Sequence, residues 1–440
     1  MLGGVEEGRR RAPEKSVLLE AFRRGFAAVS SVLPKRVKPE AERYFDCGQL
    51  RFGFVEVTCN SCSESRLVAF SCKGRGWCPS CTARRAAETG LHLATVLPVV
   101  AHRQWTLSLP FTLRHAVVKR PWLLKRLEVR LVKAIWRHQR RLAAVQGPGF
   151  VNGGAVCFTQ WFGSRLQLTP HLHLLVPTVM WAANGDFVEL GAPDEAAVAA
   201  VLKRTLLQAR KDWANAEEAF AEDEFEVLQY QAIQRQLPLE MPASRHRKNR
   251  VAVAEGFSLH ADTLVHANDR EGLERLCRYG ARGPIAQCRL RRLDDGRYEY
   301  TPKRGQAFTL TAENLVRRLV ALTPPAKTHL TSFHGVYAPH SSLRSCVMAQ
   351  TQGAAGNVTP KSTNAAKGKR KQRPRIDWAR LHQHTFGTDV LRCPCGGIRS
   401  IRALFSTPSA AEKRLEALGI PLDSRVLPQL TGPPQLAFAV

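Results

Sequence analysis

The sequence predicts an α+β fold, and three observations carry that prediction. Short strand-like runs gather in the middle of the chain, two of them close enough to form a hairpin. Helical patterns ended by Pro or Gly flank them. No repeat at a fixed period turns the chain into a solenoid. With 440 residues there is room for two or three domains, and a hydrophobic content of 44% suffices for a core, which excludes wholesale disorder. No run approaches 18 uninterrupted apolar residues. The best, around Leu91–Val100 and Leu172–Trp181, are cut by His, Thr or Pro, so a membrane-spanning helix is not expected. The N-terminal stretch MLGGVEEGRRRAPEK has no apolar core of signal-peptide type, and the expectation is an intracellular chain.

In chain order, Ser16–Leu33 carries apolar residues at helical spacing with Pro34 as its stop. Ala83–Val100 reads as helix until Pro98, and Gln104–Leu109 as a short strand ended by Pro110. Pro121 opens a long helix running to about Val145. Leu124, Leu127, Leu131, Ile135 and Trp136 form its apolar stripe among Lys125, Arg126, Arg130, Lys133, Arg137, Arg140 and Arg141. Gly147-Pro148-Gly149 breaks that helix. Gly154–Phe162 and Leu168–Val176 follow as two strands joined by Gly163–Gln167, a hairpin. Helical patterns return at Asp194–Leu207, in the acidic Glu217–Glu226, and at Asp269–Arg282, the last stopped by Gly283 and Pro284. Gly353–Arg375 is poor in apolar residues and ends in KGKRKQRPR, a linker or DNA-grasping arm; Asp377–Val440 regains apolar patterning.

The charge points to a polyanionic partner. There are 65 Lys and Arg against 37 Asp and Glu, a formal net charge of +28, which suits DNA, RNA or an anionic membrane face. Trp105, Trp122, Trp136 and Trp161 lie among basic residues, where they either stack on unpaired bases or fill the core.

Twelve cysteines in an intracellular chain point to metal ligation or burial rather than disulfides. Cys59-x2-Cys62 and Cys78-x2-Cys81 have the spacing of a four-thiolate structural zinc site, each pair a knuckle offering two sulfurs. Chance alone supplies roughly 0.3 such pairs in the whole chain. Cys47 and Cys72 are extra: either replaces a ligand or belongs to a second, incomplete site. Cys393-Pro394-Cys395-Gly396-Gly397 is half a site. His382 and His384 upstream are candidates to complete it, against the alternative of two buried free cysteines.

His171-Leu172-His173 lies in the second strand of the hairpin, so alternation puts both imidazoles on one face. Gln160, on the neighbouring strand, can be brought across as an amide-oxygen ligand. Two imidazoles and one oxygen would hold a divalent metal and leave positions for water and a phosphate. The helix Asp269–Arg282 supplies Tyr279 between Arg278 and Arg282, cations suited to a phenolate nucleophile and to phosphate oxygens.

These pieces together resemble the rolling-circle transposases of the HUH class that carry an N-terminal zinc-binding module, as in the ISCR-type insertion elements. The segments are SCKGRGWCPSC (Ser71–Cys81), RQWTLSLP (Arg103–Pro110), FTQWFGSRLQLTPHLHLLVP (Phe158–Pro177), LCRYGARGPIA (Leu276–Ala286), FHGVYAPHSSLR (Phe333–Arg344) and DVLRCPCGG (Asp389–Gly397). The resemblance implies an antiparallel HUH sheet with flanking helices, preceded by a small zinc module. It implies a metal-assisted tyrosine nucleophile that nicks and joins single DNA strands through a 5′-phosphotyrosyl link. Tyr279 matches the nucleophile, and His171 and His173 match the histidine motif for Mg²⁺ or Mn²⁺. Some relatives have a second tyrosine four residues on; here that position is Gly283, the single-tyrosine pattern.

The implied partner is single-stranded or unwound DNA at element ends, in a bacterial cytoplasm on the nucleoid, with a homo-oligomer as one way to complete the second strand transfer. The implied organisation is a zinc-binding module over 1–95, a catalytic domain over 96–350, a basic linker over 351–376 and a small C-terminal domain over 377–440. Two other readings compete: a plasmid-type rolling-circle replication initiator, and a non-catalytic zinc-dependent DNA-binding protein. The second leaves the histidine hairpin and the Arg-Tyr helix to chance.

Overall fold

The computed structural model describes residues 16–33, 37–214, 229, 231–233, 250–303, 305–324, 328–349 and 377–422. The expected helix Glu217–Glu226 and basic arm Gly353–Arg375 lie outside the described residues. The N-terminal part holds helices α1 (Val17–Gly25), α2 (Ala27–Ser30) and α3 (Lys38–Phe45), so the single helix expected over Ser16–Leu33 is two. Ser16 caps α1 by accepting from the Leu19 N–H at 2.9 Å. Strands β1 (Phe54–Cys59) and β2 (Ser65–Ala69) form a hairpin, and α4 (Pro79–Val96) follows. Cys78 is the N-cap of α4 and Pro79 occupies its first turn, where a missing N–H costs nothing, so the helix starts four residues before the expected Ala83.

The middle of the chain opens with β3 (His102–Ser108), α5 (Phe111–Lys119) and α6 (Pro121–Ala144), then the hairpin β4 (Gly154–Phe162) and β5 (Leu168–Pro177). A small ribbon, β6 (Val179–Trp181) and β7 (Phe187–Glu189), leads to α7 (Glu195–Ala214). Next come β8 (Val251–Ala254), β9 (Phe257–His260), β10 (Leu264–Val265) and α8 (Arg270–Gly280). β11 (Leu290–Arg292), β12 (Tyr298–Tyr300) and β13 (Phe308–Leu310) make a separate three-stranded sheet before α9 (Ala312–Ala321), β14 (Thr331–Gly335) and α10 (Arg344–Ala349). The C-terminal segment holds α11 (Trp378–Phe386), β15 (Arg399–Phe405) and α12 (Pro408–Ala417).

The central seven-stranded sheet runs β14-β4-β5-β3-β9-β8, with β10 also on β3, and all its pairings are antiparallel. Helices cover both faces, as the α+β prediction requires. On one face Leu124, Leu127 and Leu131 of α6 and Val198 and Leu202 of α7 join one core with Leu107, Leu172 and Leu174 of the strands. On the other, Leu93 of α4, Leu97 just after it, and Leu273 and Cys277 of α8 pack on Val156, Phe158 and Leu175. Each such leucine contributes about 1.5–3 kcal/mol by leaving water. β15 joins β1 in a sheet ordered β15-β1-β2, so a strand of the segment expected as a small domain of its own completes the N-terminal sheet.

Candidate functional site: a histidine strand under a tyrosine helix, and two thiol clusters

Residues directly opposite on antiparallel strands share a face. Thr106 and Phe158 stand opposite His173, while Ser108 and Gln160 stand opposite His171. The hairpin therefore sets His171, His173 and Gln160 on one face, the face that α4 and α8 cover. The two imidazole rings are 4.8 Å apart, centroid to centroid.

α8 is placed by its apolar stripe, Leu273, Cys277 and Gly280, and by Asp269, whose carboxylate accepts from the Gly272 N–H at 2.7 Å. Its last residue must be small: a Cβ on Gly280 would stand 2.6 Å from the Phe158 ring. Gln160 fixes the same end, its Nε2 donating to the carbonyls of Tyr279 at 2.9 Å and Gly280 at 3.0 Å, in the last turn where the intrahelical ladder runs out. The Tyr279 ring then meets His173 edge-on, centroids 5.8 Å apart, and the Arg282 guanidinium lies 4.6 Å over the tyrosine ring. Arg278, the other expected DNA contact, is turned to Glu274 at 3.3 Å.

Whether these side chains fit a divalent metal is decided by atoms left over after every hydrogen bond is made. His173 Nε2 and Gln160 Oε1 are buried without a hydrogen-bond partner among the described residues. Such atoms cost free energy unless something binds them. Thr169 O lies 2.9 Å from His171 Nδ1; a carbonyl only accepts, so the proton is on Nδ1 and Nε2 keeps its lone pair. Burial pushes the His171 imidazole down to about 4, and burial, then the charges of His171 and Arg282, push His173 well below its usual range. Both rings are neutral at physiological pH, the form in which an imidazole can ligate a metal. His173 Nδ1 lies 2.9 Å from Gln104 Nε2 and 3.1 Å from Thr106 Oγ1. Ligation through Nε2 requires the Gln104 amide to present its oxygen to Nδ1–H, a turn that exchanges two atoms of similar size. The donor set fits a metal; imidazoles alone do not select Mg²⁺ over softer ions.

Three residues of this site were not singled out from sequence. Gln104 and Thr106 orient His173, and the alternation of polar residues in QWTLS was their one signal. Arg114 on α5 acts electrostatically on His171, and its Nε and Nη1 are buried without hydrogen-bond partners among the described residues. Nothing in the run FTLRH distinguishes that arginine from its neighbours. Of the four tryptophans, Trp105 and Trp161 are buried in the core, Trp136 packs partly buried against it, and Trp122 is exposed with Arg126 over its ring.

The thiols correct the sequence reading. Cys59, Cys62, Cys78 and Cys81 do not surround one ion; they divide between two clusters. Cys78 and Cys81 join Cys47 and Cys72, while Cys59 and Cys62 join Cys393 and Cys395, and in each cluster the four sulfurs lie within 4.8 Å of one another. The reason is the strand between the two pairs. Cys59 and Cys62 sit at the turn of the β1–β2 hairpin, and the five residues of β2 carry the chain roughly 16 Å away, at about 3.3 Å per residue, before Cys72. A tetrahedral ion with Zn–S bonds of about 2.3 Å spans sulfurs only about 3.8 Å apart. In the first cluster the measured separations are 3.6 Å for Cys47–Cys78, 3.9 Å for Cys47–Cys81 and 3.4 Å for Cys72–Cys81. Cys47 and Cys72 are thus full members of it. In the second, hydrogen bonds from the backbone N–H groups of Cys62 and Ser61 bring the Cys59 thiol down to about 6. His382 and His384 do not complete the C-terminal pair; they turn to Thr388 O and Glu274 instead.

A tyrosine helix over a paired-histidine strand, next to two four-thiol clusters, brings a hydroxyl to a set of metal-ligand side chains beside groups able to hold metal ions. The comparisons narrow this. Residues 18–109 match the family described as "Transposase zinc-binding domain", of the IS91 type, and residues 154–345 match the family described as "Putative transposase" (Y2_Tnp). The chain belongs to the IS91-type transposases, and DNA transposition is its field of action. The first match holds Cys47 to Cys81; the second holds Gln160, His171, His173 and Tyr279; Cys393 and Cys395 lie outside both. No curated protein and no solved structure matches the chain. The zinc-binding family and the thiol clusters support structural zinc, and no described helix is long and apolar enough to cross a membrane.

Proposed function

We propose that the chain is a single-strand DNA endonuclease and strand transferase that mobilises an insertion element by rolling-circle transposition, with Tyr279 as its nucleophile. The observation that carries this is the convergence of the Tyr279 ring on His173, beside the partnerless His173 Nε2 and Gln160 Oε1. The Tyr279 hydroxyl oxygen attacks a phosphodiester of one strand. An Oη–P bond forms, the P–O3′ bond breaks, the tyrosine proton passes to solvent, and the departing oxygen takes a proton to become a 3′-OH. Mg²⁺ or Mn²⁺ held by His171, His173 and Gln160 would supply charge to the scissile phosphate. Gln160 and Gly280 hold the end of the tyrosine helix down on the sheet, and Gln104 and Thr106 hold His173 in orientation. Arg282 and Arg114 bring cationic nitrogens to the same face, where phosphate oxygens would satisfy them.

With one tyrosine, the second transfer uses the released 3′-OH, water or a second copy of the chain. The substrate is single-stranded or unwound DNA at element ends, met on the nucleoid in the cytoplasm. A replication initiator would share the nicking step, but the transposase matches favour mobilisation of an element. The test is incubation with Mn²⁺ or Mg²⁺ and single-stranded oligonucleotides from the element's end. A covalent protein–DNA adduct is expected from the wild type and none from Tyr279→Phe, with DNA binding retained. An adduct that persists in Tyr279→Phe removes the tyrosine from this role.

A further inference from the structure

We propose that Cys59, Cys62, Cys393 and Cys395 form a second zinc site, a clamp that holds the C-terminal segment 377–422 to the N-terminal module and against the tyrosine helix. The ligands come from opposite ends of the chain: Cys59 and Cys395 are 336 residues apart in sequence, yet their sulfurs are separated by 3.6 Å. Cys62 and Cys393 are likewise 3.6 Å apart. Both values match the edge of a tetrahedron with Zn–S bonds of about 2.3 Å and exclude a disulfide, whose sulfurs stand about 2.05 Å apart.

The backbone is shaped for thiolates. Ser61 N–H points at Cys59 Sγ and Gly397 N–H at Cys395 Sγ, both at 3.4 Å. These are equivalent contacts in two knuckles, and N–H donors stabilise the charged sulfur. Gly397 cannot carry a side chain here, because a Cβ would stand 2.7 Å from Cys59 Sγ and 2.6 Å from Ser61 Oγ. Strand pairing brings the knuckles together: Cys59 is opposite Arg399 in the β1–β15 ladder, and Asn60 N–H donates to Ile398 O at 3.0 Å. Four thiolates around Zn²⁺ carry two net negative charges. Arg399, buried beside them, lies 3.2 Å from Glu64. Cys393 Sγ donates to the same carboxylate at 3.2 Å. On ligation Cys393 loses its proton and that bond, and Glu64 keeps Arg399.

The clamp reaches the tyrosine helix through α11. His384 Nε2 lies 3.2 Å from Glu274 Oε1, the carboxylate that also holds Arg278, the residue before Tyr279. The clamp itself does not depend on the role given to Tyr279. It is also the more accessible of the two thiol sites: Cys62 and Cys395 are exposed, whereas Cys47, Cys78 and Cys81 are buried.

Metal analysis of the full chain should find two zinc ions, released to a chelator in two phases, the first from this site. Cys393→Ser/Cys395→Ser should keep one zinc and lose the fast phase. With a specific protease site inserted within 351–376, the cut C-terminal fragment should stay bound in the wild type. It should separate in the double variant or once the fast zinc is gone. Should the double variant fail to fold, wild-type protein decides: cobalt substitution gives two thiolate-ligated equivalents if the clamp exists. One zinc per wild-type chain, with Cys393 and Cys395 alkylated as fast as free exposed thiols before any chelator is added, overturns the proposal.

Discussion

Gly280→Ala is the sharpest probe of how the tyrosine is held. The added methyl carbon would stand 2.6 Å from the Phe158 ring, whereas carbon atoms in ordinary contact keep about 3.5–4.0 Å. Relief requires the end of α8 to rise from the sheet by about 1 Å, lengthening the Gln160 bonds to the Tyr279 and Gly280 carbonyls. Overpacking costs about 1–3 kcal/mol, and replacing glycine by alanine within a helix returns up to about 1 kcal/mol. The net loss of stability is therefore about 0–3 kcal/mol, below the roughly 5–15 kcal/mol that typically holds a domain folded. The chemistry is far more sensitive, since a misplacement of about 1 Å costs on the order of 100-fold in rate. Adduct formation on a single-stranded oligonucleotide, with denaturation measured in parallel, should show a drop of about that size while the variant stays folded. Phe158→Val in the same background should restore part of the rate. If Gly280→Ala forms adduct at the wild-type rate, the position of Tyr279 does not depend on this contact and the reasoning fails.

Two further perturbations test the other face of the sheet. Glu128 on α6 is 2% exposed, and its Oε1 accepts from Lys125, Ser332 and His334, each at 2.5 Å. Burial opposes its charge, but the hydrogen bond from His334, with Lys125 and Ser332, outweighs burial and holds the carboxyl below its ordinary value of 4.5. A depressed carboxyl stabilises the fold above the unfolded value and loses that contribution as pH falls through the folded one. Glu128→Gln should thus cost about 1–3 kcal/mol at pH 7 by chemical denaturation, a difference that shrinks below about pH 4. On the outer side of α6, Lys133, Arg137, Arg140 and Arg141 line a groove with Arg204 of α7. Reversing Lys133, Arg137 and Arg141 to Glu should weaken DNA binding. It should also flatten its salt dependence by about 0.7 in log–log slope for each phosphate of a single strand that these cations neutralise. Adduct yield at saturating DNA should stay unchanged.

Parts of this architecture were legible because their determinants are local. The β4 strand runs from Gly154 to Phe162 as the sequence predicts, and β5 gains only Pro177. The α6 helix starts at Pro121 and ends one residue before the expected Val145. Proline, glycine and alternation act within a few residues, so a linear reading finds them. The two imidazoles on one face follow from the same alternation. Gln160 was found opposite His171 because a hairpin with a short turn has few registers. Arg114 was not legible, since its place beside His171 depends on how α5 lies over the strands.

The thiols show where a linear reading fails and what would have repaired it. The spacing within Cys59-x2-Cys62 and Cys78-x2-Cys81 marks each knuckle, but the choice of partner knuckle is global and leaves no mark in the spacing. The 15 residues between the pairs look like a loop able to fold back on itself. They are not free to do so: Ser65–Ala69 is a strand, paired residue by residue with Phe54–Thr58. Once β1 and β2 are recognised, Cys59 and Cys62 fall at the turn and Cys72 beyond the far end. Cys47 precedes that same far end, so the first cluster assembles from Cys47, Cys72, Cys78 and Cys81. The turn knuckle is then left with two thiols and needs two more. Among the described residues the other such pair is in Cys393-Pro394-Cys395, which β15 delivers by pairing with β1. An unfilled knuckle at a sheet edge thus predicts a distant strand that must come to complete it.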